Sequence, residues 1–270
     1  MLWEADAVKT PDFKTAAHEA GNSTIVERGA RLGYAVSGLL HLLIAYIALK
    51  VAWTSGGGSA DQSGALATLA GSTGGSFVLW VTVVGLVLLA VWQLTEAITG
   101  AHGAEAADRA KAVGKLVVYA ALAWTALKFA TGSSTSSSGQ TADFTASLMS
   151  HAGGRLLVGA IGLGVVAVGA YHVYKGWKKK FLEDLVEHPG NWAVQAGRAG
   201  YVAKGVALVV VGFLFLVAAV RQTPSEATGL DGALHTLREA PAGPILLTLV
   251  AIGLAAFGVY CGARARYARV

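Results

Sequence analysis

Arg31-Leu32-Gly33-Tyr34-Ala35-Val36-Ser37-Gly38 returns later in the chain as Arg198-Ala199-Gly200-Tyr201-Val202-Ala203-Lys204-Gly205, two versions of the phrase Arg-x-Gly-Tyr-x-x-x-Gly. A degraded third version surrounds Lys111 and Gly114. The copies begin at Gly33, Gly114 and Gly200, about 81 and 86 residues apart, a period that marks a repeated structural unit. An apolar block follows each copy, then a small-polar loop, then a second apolar block. The uncharged or nearly uncharged runs are Leu32 to Leu49, Phe77 to Thr95, Leu116 to Leu127, Leu156 to Tyr174, Gly205 to Val220 and Ala240 to Ala263. At about 20 residues per crossing these are six membrane spans. The third is short, lying between Lys115 and Lys128, whose ammonium groups would have to snorkel to opposite interfaces.

Composition agrees. The chain is 54% hydrophobic and 14% charged with mean hydropathy +0.55, against roughly 25% charge in soluble domains. The expected fold is an all-α membrane protein of six transmembrane helices. They form three tandem two-helix repeats packed about a pseudo-threefold axis along the membrane normal. The expected units are a cytosolic tail (1–27) and repeats at 28–108, 109–197 and 198–270. Because each unit crosses twice, all three share one orientation, and close helix contact is expected at Gly159, Gly162, Gly169, Gly258 and Gly262.

Orientation follows from the basic residues. With the N-terminus inside, 16 of the 21 Lys and Arg fall on the inner side, leaving Lys50, Lys128, Arg155, Arg221 and Arg238 outside. The positive-inside rule reads this as both termini cytoplasmic, in the plasma membrane. The net charge of +5 then belongs to membrane headgroups, and no nucleic-acid surface is expected. Residues 1–27 lack the apolar segment of a signal peptide. Cys261 is the sole cysteine, so an intrachain disulfide and a cysteine metal cluster are excluded.

Each outer loop carries a brief helix signal behind Asp61, Asp143 or Asp231, expected to be a short interfacial helix. Ser59 with Gln62 reads as its capping box in the first loop, and Thr141 and Thr228 as N-caps in the others. Each second span ends in an aromatic followed one turn later by a polar group: Trp92 and Glu96, Tyr171 and Lys175, Tyr260 and Arg264.

The two Arg-x-Gly-Tyr-x-x-x-Gly openings, with the closing Gly253-Leu254-Ala255-Ala256-Phe257-Gly258-Val259-Tyr260 before Arg264, Arg266 and Tyr267, resemble the membrane family catalogued as domain of unknown function 1206. The resemblance covers Arg28 to Val270 and is weakest where Lys115 and Tyr119 stand near the places of Tyr34 and Gly38. It implies three copies of a two-span unit, found mainly in high-GC Gram-positive bacteria, and brings no activity or site residues with it.

Ionisable groups inside a membrane are the default functional candidates. Glu96, Lys175 and Arg264 occupy matching positions, so one acid and two bases are expected at one depth, either a charge-satisfied cluster locking helix ends or an inner gate. His41 lies near the middle of the first span, and Gln93 is polar one turn deeper than Glu96. His172 sits near the inner surface, at the wrong depth to share a haem iron with His41. Lys50, Lys128 and Arg221 each close a first span, where the helix dipole favours a cation. They are candidates for salt bridges to the loop acids or for contacts with lipid phosphates.

No Ser-His-Asp set, HExxH, phosphate loop or paired intramembrane carboxylates occur, so no catalytic residue, metal or cofactor is expected. The favoured reading is a non-enzymatic scaffold that binds membrane lipids, other membrane proteins or itself. A small channel or transporter past Glu96 and His41 is the alternative, and a lipid-modifying enzyme the third. Matching His41 to Leu122 and Leu208 by the repeat offsets gives a poorly hydrophilic ring, so an apolar centre is expected. The topology has a direct check. Cysteines placed at 56–58 and 133–138 should react with a membrane-impermeant thiol reagent from outside, while ones at Lys179 and Arg266 should not; reaction of all four regions from one side would contradict six spans.

Overall fold

The computed structural model describes residues 24–54, 58–99 and 106–269; most of the expected tail and the Gly56-Gly57 loop lie outside them. Among the described residues nine α-helices run long, short, long, three times over. They are α1 (Thr24–Trp53), α2 (Gln62–Ala70), α3 (Gly75–Thr99), α4 (Ala106–Ala130), α5 (Ser137–Met149), α6 (Gly154–Trp177), α7 (Asn191–Arg221), α8 (Gly229–Glu239) and α9 (Gly243–Tyr267). The six long helices are each long and apolar enough to cross a membrane, α4 included despite its short uncharged run. A 31-residue helix such as α7 reaches about 46 Å, beyond the roughly 30 Å hydrocarbon core, so its first turns extend past the lipid tails.

The chain is therefore a multi-pass membrane protein with two unlike faces. One, the loop face, carries α2, α5 and α8. The other, the terminal face, carries the start of α1, the end of α9 and the α6–α7 connection.

The short helices are present, but two of their caps differ from expectation. Asp61, not Ser59, caps α2: its Oδ1 accepts from the Gly64 N–H at 3.0 Å and from the Ser63 hydroxyl at 2.6 Å. Ser136, not Thr141, caps α5, accepting from the Gly139 N–H at 3.1 Å, while Thr141 lies a turn inside and donates to the Ser137 carbonyl at 2.7 Å. Thr228 stands at the N-cap of α8 but makes no side-chain capping bond. The helix starts shift because a Ser or Asp directly before the first turn reaches an orphan N–H that the predicted residue cannot.

Packing between repeats follows one rule. The second long helix of each repeat lies on the first long helix of the next: α3 on α4, α6 on α7, and α9 back on α1. Small residues let the backbones meet. A β-carbon on Gly38 would come 2.8 Å from the Gly258 carbonyl oxygen, and one on Gly258 the same distance from that of Gly38. Gly162 with Gly212 and Gly169 with Gly205 repeat this along α6 and α7. Gly159 has only the Ala219 β-carbon near it, at 3.8 Å, and Gly262 faces open space, so these two expected contact glycines do not serve.

Within repeats the rule breaks once. α1 packs on α3 and α7 on α9, but among the described residues α4 and α6 form no such interface. The order around the bundle is α4–α3–α1–α9–α7–α6, a ring open on one side. Burial reflects it: 44–50% of the most apolar window is inside the protein in α1, α3, α7 and α9, against 28% in α4 and 17% in α6.

The largest apolar core lies towards the loop face. Leu40, Ile44, Leu79, Ala126, Leu247 and Leu254 of the long helices meet Leu66 of α2 and Leu234 of α8, with Leu122 packed against them. A second cluster joins α6 and α7 through Val158, Val211, Phe215 and Ala218.

Candidate functional site

The terminal face gathers the polar candidates, and the packing rule explains how. The end of each second helix falls on the opening phrase of the next repeat. The Arg264 guanidinium of α9 lies 4.1 Å from the centre of the Tyr34 ring on α1, and its Nη2 donates to the Tyr34 hydroxyl at 3.1 Å. Lys175 of α6 likewise sits 5.5 Å over Tyr201 of α7. In the remaining copy Lys115 takes the place of Tyr34 and Glu96 that of Arg264, so a cation stands at the ring's position and an acid at the cation's.

Among the described residues neither Lys175 nor Arg264 has Glu96 as an ion partner within 4.0 Å. The carboxylate on Lys175 is Asp184, at 2.7 Å. The sequence reading missed it because Asp184 lies nine residues on, in the α6–α7 connection. Its place is fixed by a short 3-10 turn, Lys180–Asp184, stitched to the end of α9. The Val186 N–H donates to the Tyr267 carbonyl at 2.8 Å and the Arg269 N–H to the Asp184 carbonyl at 3.0 Å. Phe181 anchors the turn, stacked on Tyr201 at 5.3 Å and edge-on to Tyr260 at 5.1 Å, with the Tyr260 hydroxyl donating to the Phe181 carbonyl at 3.1 Å. Aromatic pairs of this kind add to the burial that holds the turn down.

Deeper in the bundle, His41 donates through Nδ1 to the Ser37 carbonyl at 2.7 Å, and its ring lies 4.7 Å from that of Phe257. From the Trp53 end of α1 it is 12 residues in, about 18 Å along the axis, close to the midplane. The same Phe257 ring carries Lys204, with Nζ 4.3 Å from its centre. Lys204 reads in sequence as a surface cation, yet on α7 it is about 26 Å from the loop-face end, inside the terminal half of the membrane. His172 stacks on Tyr201 at 5.7 Å, and Gln93 is buried. Among the described residues no carboxylate comes within 4.0 Å of Lys115, Lys204 or Arg264. The Arg264 Nε is buried without a hydrogen-bond partner. Among the described residues no group of three His, Cys, Asp or Glu is placed to hold a metal.

On the loop face, among the described residues, Lys50, Lys128 and Arg221 form no salt bridge to Asp61, Asp143 or Asp231; the one helix-to-loop pair they make is to Glu226. Lys50 lies 5.7 Å over Tyr46 and Lys128 5.9 Å over Trp124, each an aromatic one turn back on its own helix. Arg221 faces Glu226 at 3.8 Å. Asp231 instead accepts from the Ala60 N–H at 2.6 Å, tying α8 to the first loop, and stands 3.6 Å from His235. Burial raises the Asp61 carboxyl above the usual range and nearby Asp231 adds to this, against the lowering by its hydrogen bonds to Ser63 and Gly64. These acids serve as caps and ties because a backbone N–H lies nearer to them than any cation.

Lys175, Lys204 and Arg264 thus lie over aromatic rings in the terminal half of the bundle. Two ion pairs show how much depends on burial. In Lys175–Asp184 the side chains are 16% and 31% exposed; in Lys111–Asp108 they are 63% and 54% exposed. Asp184→Asn is expected to cost about 1–3 kcal/mol, since it strands a half-buried cation, whereas Asp108→Asn should cost under about 0.5 kcal/mol. Thermal unfolding of both variants in one detergent compares them; equal melting temperatures would mean that water screens both pairs alike.

A family model described as Domain of Unknown Function (DUF1206) matches the chain three times, at residues 32–100, 110–179 and 199–268, once for each long-short-long unit. The chain is also 28% identical over 245 residues to the uncharacterized protein YxxB of Bacillus subtilis (strain 168), a match spanning 87% of this chain and 88% of that protein. No solved structure matches. With all three repeats matched and packed by one rule, the chain belongs to the DUF1206 family of membrane proteins.

Proposed function

We propose that this is a non-conducting, non-enzymatic protein of the plasma membrane, both termini cytoplasmic, that acts by binding another membrane component at the open side between α4 and α6. The observation that carries the reading is the missing α4–α6 interface, since the same pair of helices is packed in the other two repeats. The exposed side chains on these helices, Val117 and Trp124 on α4 and Leu156 and Leu163 on α6, are apolar and fit a lipid or a partner helix. At the terminal end, Lys115, Lys175 and Arg264 give that surface a preference for an acidic group. On the loop face Lys50, Lys128 and Arg221 are the residues for lipid phosphates, Tyr46 under Lys50 and Trp124 under Lys128 anchoring two of the helix ends at the headgroup belt.

Support for a non-conducting centre comes from the apolar core that closes the loop half, with α2 and α8 laid over it. A hydrated ion passing there would lose its water with no polar ring to replace it. The transport alternative draws on one observation, the placing of His41 near the midplane and Lys204 in the terminal half on either side of the Phe257 ring. Flux assays on the purified protein in liposomes discriminate the two. The expected result is no ion movement above that of empty vesicles; a reproducible conductance abolished by His41→Ala would overturn the binding reading in favour of transport.

A further inference from the structure

We infer that the groove between α7 and α9 holds an anionic glycerophospholipid from the leaflet of the terminal face, its phosphate on Arg198 and one acyl chain along the helices. This site is separate from the open side between α4 and α6. The groove is an open hollow of about 520 Å³. Its hollow exists because Ala199, Ala203 and Gly253 present little bulk where the two helices meet, while Leu249 continues the apolar wall towards the membrane centre. Polar groups occur only at the terminal end, where Arg198 and Gln195 join Trp177. A long apolar channel ending in a cation and an interfacial tryptophan has the polarity of a phospholipid lying parallel to the helices.

The repeats supply the comparison that gives Arg198 a purpose. Its counterpart Arg31 is neutralised by Glu27, one turn before it, at 2.9 Å. One turn before Arg198 stands Val194, and the guanidinium rests instead on the Trp177 ring, 5.2 Å from its centre. Among the described residues no carboxylate lies within 4.0 Å of it. In the first repeat the places of Ala199 and Ala203 are taken by the bulkier Leu32 and Val36. A half-buried arginine, stacked so that its fork is pre-oriented and left without an internal acid, is suited to two parallel bonds to a phosphodiester.

The test uses the full-length protein in detergent, titrated with phosphatidylglycerol or with phosphatidylcholine of the same acyl chains, lipid retention being read by native mass spectrometry. Wild type should retain phosphatidylglycerol roughly fivefold better, the factor expected for one basic side chain at a headgroup. Arg198→Gln should remove that preference and Arg198→Lys should restore part of it. Ala199→Trp, a change at an exposed position that fills the hollow, should abolish retention of both lipids. An undiminished preference in Arg198→Gln, or wild-type retention in Ala199→Trp, would overturn the proposal. So would equal competition by inorganic phosphate, which would mean a free-anion site. Loss of self-association in Ala199→Trp would also overturn it, because the groove would then be an interface for a second copy.

Discussion

Helices already surrounded by hydrocarbon gain little from burying more of it, so what holds this bundle together is backbone-to-backbone approach at glycines. Gly38 against Gly258, Gly162 against Gly212 and Gly169 against Gly205 each join the second helix of one repeat to the first helix of the next, allowing for the return from the third repeat to the first. The remaining structure depends on that constraint. It fixes α6 on α7 and α9 on α1, delivering Lys175 onto Tyr201 and Arg264 onto Tyr34, while α3 packs on α4 without it, a β-carbon on Gly114 having nothing within 4 Å.

From that delivery follows the chemistry of the terminal face. Arg264 over Tyr34 and Lys175 over Tyr201 are the same contact made twice, and the copy whose opening phrase has decayed carries Glu96 and Lys115 at the corresponding places. A ring face offsets part of the cost of half-burying a cation, which is how Arg264 over Tyr34 sits with no carboxylate of the described residues within 4.0 Å, whereas Lys175 has Asp184 as well. The same decayed copy is the one whose helices part. Without a packed α4–α6 pair among the described residues, the ring opens between α4 and α6, the helices that carry Lys115 and Lys175.

Much of this was legible in the sequence. The period from Gly33 to Gly114 to Gly200, the six apolar runs and the short loop helices all have local causes: hydropathy, glycine and turn chemistry. The matching of Glu96, Lys175 and Arg264 was legible too, as a repeat position. Their partners were not. Asp184 reaches Lys175 only because Phe181 and the end of α9 pin a loop, and Arg264 reaches Tyr34 only because the third repeat closes on the first. Lys204 misled for a related reason: a helix longer than the membrane hides which of its residues lie within it. Long-range contacts of this kind leave no spacing to read, and a splayed hairpin looks the same in sequence as a closed one.

The central claim is that the repeats pack through their neighbours and that the second hairpin stays open. Oxidative cross-linking of cysteine pairs in native membranes measures this directly. Gly159→Cys with Ala219→Cys places two β-carbons about 3.8 Å apart across α6 and α7, the spacing of a disulfide, and should cross-link readily. Pairs joining Val118 or Trp124 on α4 to Leu163 or Val168 on α6 should not. Efficient cross-linking between α4 and α6, with none between residues 159 and 219, would contradict the account.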